Sequence, residues 1–178
     1  LPLGIIGIAL GTALLPHLAQ LYANGKIEEM RASLSNSLYL ASFFTLPAAT
    51  ALMILSSVII SGVFGYGAFD EADVEATAKA LVAYALGLPA FVAQKLFQVV
   101  FYASNRPSLI LLISSITVLT NIFLSIILMQ LIGHIGLALG TSISAWGATL
   151  WFTYLLIKEG YLIKNSFSRL LPLIMFCV

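Results

Sequence analysis

The sequence predicts an all-α fold, a polytopic bundle of transmembrane helices. Of its 178 residues, 61% are hydrophobic and only 8% are charged, whereas an ordinary soluble domain carries about 25% charged residues. Uncharged runs long enough to cross a bilayer alternate with short polar connections. Small residues also recur at helical spacing in two of these runs. A soluble domain of this size would need more charged residues than this to cover its surface.

The small-residue pattern is clearest in residues 133–146, GHIGLALGTSISAW, which contain no charge. Gly136, Gly140 and Ser144 lie four residues apart, so they stack on one face of a helix. Small side chains there let a second backbone approach closely, which is how helices associate in lipid. We therefore expect these three residues to pack against another helix.

The same pattern occurs near the start of the chain. Residues 4–14 read GIIGIALGTAL and match residues 133–143 at seven of eleven positions. In this alignment Gly7 and Gly11 correspond to two of the glycines of the later motif. We expect two equivalent helices in an internally repeated membrane bundle, both packed through their glycines.

The remaining bulk properties exclude little. The net charge of +1 carries no information about nucleic-acid or acidic partners, and no nucleic-acid partner is predicted. The single cysteine, Cys177, allows no internal disulfide. No charged start precedes a short apolar core, so a signal peptide is not predicted. The chain begins at Leu1 rather than Met and stops within an apolar run. These ends predict a piece of a longer, transporter-sized protein.

The first predicted element is an apolar span over residues 1–22. At about 1.5 Å per residue it extends for about 33 Å, enough to cross a hydrocarbon core of about 30 Å. Gly25 then predicts the end of the helix.

The second span is preceded by a polar segment, Lys26–Asn36, which we expect to lie at the membrane surface. The 38 residues from Ala32 to Phe69 carry no charge, too many for one perpendicular crossing. We place the span at 38–64, with a bend near Pro47 because proline removes a helical hydrogen bond.

The third span, 74–103, follows a loop and the acidic cluster of Asp70, Glu71, Asp73 and Glu75. Four carboxylates in six residues could bind a divalent cation. The favoured interpretation is that Asp70 caps the helix and the other acids complement the positive end of its dipole. No metal site is therefore predicted. Gly87 and Pro89 permit a kink.

Three further segments complete the predicted topology. Ser104–Pro107 is a tight connection, and uncharged spans follow at 108–132 and 135–157, separated by a turn at Gly133-His134. A basic loop over residues 158–169 leads to the start of another span at 170–178.

The basic residues predict the orientation of the bundle. The connections near 24–31, 104–107 and 158–169 should share one side of the membrane, and they hold six of the eight basic residues: Lys26, Arg31, Arg106, Lys158, Lys164 and Arg169. Because lysine and arginine are enriched in cytoplasmic loops, this side should face the cytoplasm. The first span then runs from outside to inside.

Lys95 is the principal candidate for a functional side chain because it lies within a span. It precedes Ser104 by nine residues, about 14 Å along a helix, and so lies deep in the membrane. A cation there is costly unless it faces a cavity, has a partner, or reaches the interface. No acid in the other spans can pair with it. Two interpretations stay open: a water-filled cavity for an anionic substrate, and a snorkelling or structural lysine.

Asn121 and Ser125 lie four residues apart on one face of the fourth span. Such residues usually form hydrogen bonds between helices, and the alternative is that they line the substrate cavity. His17 and His134 lie near span ends and are expected to have no special role. The chain contains no catalytic constellation and no cofactor-binding motif, so we expect a transporter and not an enzyme.

Several motifs together resemble one known family. These are LPLGIIGIALGTALLP (1–16), TLPAA (45–49), FGYGAFD (64–70), YALGLPAF (84–91), FYA (101–103) and GHIGLALGTSISAW (133–146). In their order, spacing and residue identities they are similar to the lipid II flippases of the MurJ/MviN family, from Leu1 to about Lys158. That family is part of the multidrug/oligosaccharidyl-lipid/polysaccharide exporter superfamily.

The resemblance implies a fourteen-helix inner-membrane transporter with two lobes around a cavity that opens alternately to each side. This chain would supply the eighth to twelfth helices and the start of the thirteenth, in the C-terminal lobe. The family's principal arginines and its lipid-tail groove would lie outside it. Lys95 corresponds to a position that is often basic in the family, and Asn121 corresponds to a family asparagine.

The chain departs from the family pattern at three places. Val99 replaces a usual proline before FYA, SNRPS at 104–108 replaces an Asp-Thr-x-Thr-Pro run, and Ser125 replaces a second asparagine. These differences affect the expected connection between the third and fourth spans and leave the resemblance intact.

The leading functional hypothesis is a flippase that moves a polyprenyl-diphosphate-linked murein precursor to the outer leaflet of the bacterial inner membrane. Its partners would be the lipid bilayer, this precursor and, potentially, cell-wall synthesis proteins. A related exporter of O-antigen units or drugs is the alternative, although a drug exporter should carry acids in its spans. Two other classes are alternatives. One is a non-transporting scaffold. The other is a sugar-phosphate transferase, but its acidic cluster would lie on the outer side of the membrane, away from cytoplasmic nucleotide-sugar donors.

Overall fold

The computed structural model describes residue 4 and residues 9–65 and 70–162 of the chain. Within these ranges the ordered structure is helical and contains no strand. The helices are α1 (Ala9–Ala23), α2 (Ile27–Ile54), α3 (Ser56–Phe64), α4 (Glu71–Ala103), α5 (Pro107–Ile132) and α6 (His134–Lys158). By length and composition α2, α4, α5 and α6 could each cross a membrane. Most of residues 1–8 and all of 163–178, including the predicted span at 170–178, lie outside the described residues.

Helix α4 is the central element of the bundle. It packs against α1, α2, α3 and α6, while α5 packs chiefly on α6. The core between these helices is built from aliphatic and aromatic side chains such as Leu18, Leu34, Leu96, Phe101 and Phe152. The rings of Phe101 and Phe152 lie 5.7 Å apart between centroids, close enough for a favourable aromatic contact between α4 and α6.

Helix ends agree with the local signals in the sequence. Gly25 follows α1 with a φ of 69°, a conformation that glycine adopts without strain. The Asp70 side chain accepts a hydrogen bond from the backbone N–H of Asp73 at 2.9 Å, and the Asp73 side chain accepts one from the backbone N–H of Asp70, which forms a capping box. The prediction that Asp70 caps this helix is therefore confirmed. Pro107 begins α5, where its missing N–H costs nothing.

The structure of the second predicted span differs from the prediction in one respect. Its helical part starts at Ile27, runs without interruption through Pro47, and is interrupted at Leu55, between α2 and α3. The prediction of a bend near Pro47 therefore missed the place where the helix is broken. At that place the hydroxyl of Ser56 donates to the Met53 carbonyl oxygen at 3.1 Å. This hydrogen bond joins the first residue of α3 to the last turn of α2, across the break.

Candidate functional site

Lys95 lies on an exposed part of α4, eight residues before the helix ends. The distance from there to the end of the helix is about 12 Å along the axis. Among the residues that the structure describes, no carboxylate lies within ion-pair distance of its ammonium group. Lys95 therefore presents an unpaired cation well inside a helix long enough to span a membrane.

The adjacent face of α4 is locked to α6 by side chains that bond to backbone carbonyls. Gln94 donates to the Ala145 oxygen at 2.6 Å, and Ser142 donates to the Ala83 oxygen at 2.6 Å. The indole N–H of Trp146 donates to the Leu86 oxygen at 3.0 Å. These bonds fix the rotation of α4, and with it the direction in which Lys95 points.

A glycine makes the close approach of α4 and α6 possible. A Cβ on Gly87 would lie 2.5 Å from the Ser142 hydroxyl oxygen, so any side chain there would push the helices apart. This contact and the polar bonds around it were not predicted from the sequence. Gly87, Ser142 and Ala145 are small residues visible in the sequence, but the sequence does not show that their two helices pack against each other.

The small-residue motif of α6 faces α5. A Cβ on Gly136 would lie 2.2 Å from the backbone oxygen of Leu128, and one on Gly140 would lie 2.8 Å from the Ser125 hydroxyl oxygen. Ser144 is buried, and its hydroxyl donates to the Thr141 carbonyl oxygen at 2.9 Å. The two glycines thus line the contact between α5 and α6.

The corresponding motif in α1 is only partly visible. A Cβ on Gly11 would lie 3.5 Å from a side-chain carbon of Val99 on α4, an ordinary packing distance. Gly7 lies outside the described residues. The expected equivalence of the two glycine motifs stays a prediction.

The two polar residues of α5 lie at its contact with α6. The Ser125 hydroxyl donates to the Asn121 side-chain oxygen at 2.9 Å, and the Asn121 amide lies 3.5 Å from the Thr141 hydroxyl. Ser125 is buried and Asn121 is half-buried. The Ser125–Asn121 bond lies within α5, and the Asn121–Thr141 contact joins α5 to α6. Among the described residues, no hydrogen bond joins either residue to Lys95. Their predicted role in a substrate cavity stays a prediction.

The three basic connections meet at one end of the bundle. Arg31, next to the α1–α2 turn, donates to the carbonyl oxygen of Gly160 after α6. Arg106, between α4 and α5, pairs with Glu159 at 2.5 Å. The rings of Tyr22 and Tyr161 lie 6.4 Å apart, and burial, with a further contribution from Tyr22, raises the pKa of Tyr161. These contacts place the described parts of the three connections at one end of the bundle, while residues 163–169 of the last connection, with Lys164 and Arg169, lie outside the described residues.

Comparison with known proteins identifies the family. The family model described as lipid II flippase MurJ matches residues 1–177. The chain belongs to the MurJ family. The predicted resemblance is thereby confirmed, together with the all-α membrane-bundle fold. The chain is part of a multi-pass membrane protein. Its family is one of flippases, which are transporters and not enzymes.

Relatives from distant bacteria agree. The probable lipid II flippase MurJ of Rickettsia prowazekii (strain Madrid E) is 36% identical over 145 residues, which cover 82% of this chain and 29% of the relative. The probable lipid II flippase MurJ of Thermotoga maritima is 38% identical over 145 residues, covering 81% of this chain and 29% of the relative. The chain therefore spans about three tenths of the length of these MurJ relatives.

A solved structure has the same fold. The lipid II flippase MurJ in its inward closed conformation superimposes with a TM-score of 0.81 at 28% sequence identity. The match covers 99% of this chain and 37% of that structure. The described helices thus have the arrangement found in a MurJ protein.

Proposed function

We propose that this chain is part of a transporter that flips a polyprenyl-diphosphate-linked peptidoglycan precursor, lipid II, from the inner to the outer leaflet of the bacterial inner membrane. The relatives named above carry this activity in their names. The observation that carries the proposal is Lys95, an exposed and unpaired cation deep in α4 of a MurJ-family chain.

The physical task explains why such a residue is useful. A saccharide-diphosphate head group is too polar to enter hydrocarbon, so the protein must offer it a hydrated, cationic cavity while the polyprenyl tail stays in lipid. In transporters built from repeats, substrate sites lie near the bilayer midplane between the two halves. In this proposal α4 belongs to the C-terminal lobe, and Lys95 faces the cavity and binds the diphosphate.

The proposal predicts a charge-dependent loss of transport. In the full-length protein, Lys95→Glu should reduce lipid II flipping about tenfold or more at matched membrane abundance, because a carboxylate repels the diphosphate at close range. Lys95→Arg should retain transport, and Lys95→Ala should be intermediate. Flipping is measured as the appearance of lipid II in the outer leaflet of cells or proteoliposomes.

Lys158→Glu is the matched control, since Lys158 is an exposed lysine in the last turn of α6. It should leave transport nearly unchanged. Wild-type transport by Lys95→Glu would show that Lys95 only reaches the membrane surface, and would remove the proposed diphosphate site from this part of the protein. A scaffold without transport activity would show no difference between the two variants.

A further inference from the structure

One face of α4 carries two aromatic residues and a lysine at helical spacing. Tyr84, Phe91 and Lys95 are separated by seven and four residues, so helical geometry places them in one narrow stripe along the axis. Tyr84 is 45% exposed, Lys95 is exposed, and Phe91 is half-buried. Gln98, three residues further, is half-buried on the same side. The stripe therefore combines two aromatic rings with a cation and an amide.

Helix α5 offers a comparison, because large apolar side chains make up much of its exposed surface, beside Ser115, Thr120 and Gln130. Four of these apolar side chains are at least 66% exposed: Leu111, Leu119, Phe123 and Leu131. Such a surface is suited to lipid tails. The α4 stripe would be costly against lipid because it carries a hydroxyl, an ammonium group and an amide.

Tyr84 is too deep to belong to an interfacial aromatic belt. It lies 13 residues after the start of α4 and 19 before its end, about 20 Å and 28 Å along the axis. Aromatic belts lie at the membrane–water boundary. Among the described residues no hydrogen-bond partner of the Tyr84 hydroxyl is found, and its side chain is 45% exposed.

The half-buried ring of Phe91 lies beside a glycine of the same helix. A Cβ on Gly87 would lie 2.9 Å from a ring carbon of Phe91, so the ring lies back along α4 over the bare glycine. Phe91 then lies one helical turn, about 6 Å, from Lys95 and two turns, about 10 Å, from Tyr84. The two rings line the stripe on one side of the cation.

We propose that Tyr84 and Phe91 form an aromatic platform that stacks against the sugar rings of a lipid-linked saccharide diphosphate bound through Lys95. Sugar rings present C–H faces that pack on aromatic surfaces and hydroxyls that the Tyr84 phenol and the Gln98 amide can meet. Ligand sites commonly combine aromatic walls with a few polar groups. This inference rests on the proposed function. It assigns the saccharide to Tyr84, Phe91 and Gln98, and the diphosphate to Lys95.

The test separates the sugar from the diphosphate. Binding to the purified full-length protein is measured for two probes: a polyprenyl diphosphate bearing a disaccharide without peptide, and the same polyprenyl diphosphate without sugar. Tyr84→Leu and Phe91→Leu should each weaken binding of the disaccharide probe about three- to tenfold and leave the sugar-free probe unchanged. Tyr84→Phe should retain most of the affinity because the ring remains.

Phe123→Leu removes a ring from the apolar surface of α5 and is the matched control, expected to change neither affinity. If neither Tyr84→Leu nor Phe91→Leu changes the ratio of the two affinities, the platform does not exist. An equal loss for both probes would also overturn it, since it would show that another helix of the transporter covers the stripe. Lys95→Glu should weaken both probes, and its failure to do so would contradict the proposed function without altering the sugar comparison.

Discussion

At the residue scale, Thr45 on α2 carries an unusual local cost. Its side chain is 1% exposed, and its hydroxyl has no hydrogen-bond partner among the described residues. The hydroxyl adjoins a small cavity lined by Leu38, Pro89 and Val92, where α2 meets α4. A buried hydroxyl without a partner costs about 1–3 kcal/mol.

Removing that hydroxyl should therefore stabilise the protein. Thr45→Val keeps the shape of the side chain, and we expect it to raise the free energy of unfolding by about 1 kcal/mol. Thr153→Val is the control, because the Thr153 hydroxyl already donates to the Thr149 oxygen at 2.7 Å. Thermal unfolding of the full-length variants in detergent measures both. A lower stability of Thr45→Val would mean that a water molecule in the cavity completes the hydrogen bond.

At the scale of elements, the contact between α5 and α6 depends on Gly140, a glycine with little room for a side chain. A Cβ at Gly140 would lie 2.8 Å from the Ser125 hydroxyl oxygen and 3.0 Å from the Ser125 backbone nitrogen. The backbone cannot give way as the end of a flexible side chain can. Close helix contacts of this kind replace the hydrophobic driving force that is missing in lipid.

We expect Gly140→Ala to destabilise the protein by about 1–3 kcal/mol, as overpacking does. Gly147→Ala is the matched control on the same helix. No described atom lies within 4 Å of its added Cβ, so the better helix propensity of alanine should leave stability equal or raise it by up to about 1 kcal/mol. The comparison uses thermal unfolding and the yield of folded protein from membranes. Equal behaviour of the two variants would show that α5 and α6 separate easily.

At the scale of the whole molecule, the end of the bundle that carries Arg31, Arg106 and Glu159 should face the cytoplasm. The contacts among the three connections place them at one end, and the excess of basic residues there predicts which side that is. The capped start of α4, with Asp70, lies at the opposite end of that helix.

Cysteine labelling in intact cells tests this orientation. In an otherwise cysteine-free full-length protein, Glu71→Cys should react with a membrane-impermeant thiol reagent from outside, and Asn105→Cys should react only after the membrane is opened. Both positions are exposed in the structure, so access to the reagent depends on the side of the membrane. Labelling of Asn105→Cys in intact cells, or equal labelling of both, would contradict the orientation.

The sequence by itself determined the all-α membrane class, the helix ends at Gly25, Asp70 and Pro107, and the grouping of the basic connections. These features depend on hydropathy, capping and turn chemistry, which act within a few residues of the chain. The family motifs further indicated that the bundle resembles the MurJ/MviN flippases. Lys95 could be singled out because a charge inside an apolar run is visible without any structure.

Only the tertiary structure decided which face of each helix meets another helix. Gln94 and Ser142 bond to backbone carbonyls about fifty to sixty residues away, and the break at Leu55 separates α2 from α3 where the sequence has neither a proline nor a glycine. In lipid, a lipid-facing side and a helix-facing side can be equally apolar, so hydropathy does not distinguish them. The choice depends on shape and hydrogen bonding between residues far apart in sequence. For the same reason, the sequence alone did not reveal the stripe of Tyr84, Phe91 and Lys95. The stripe is recognisable in the structure because no described helix covers that side of α4.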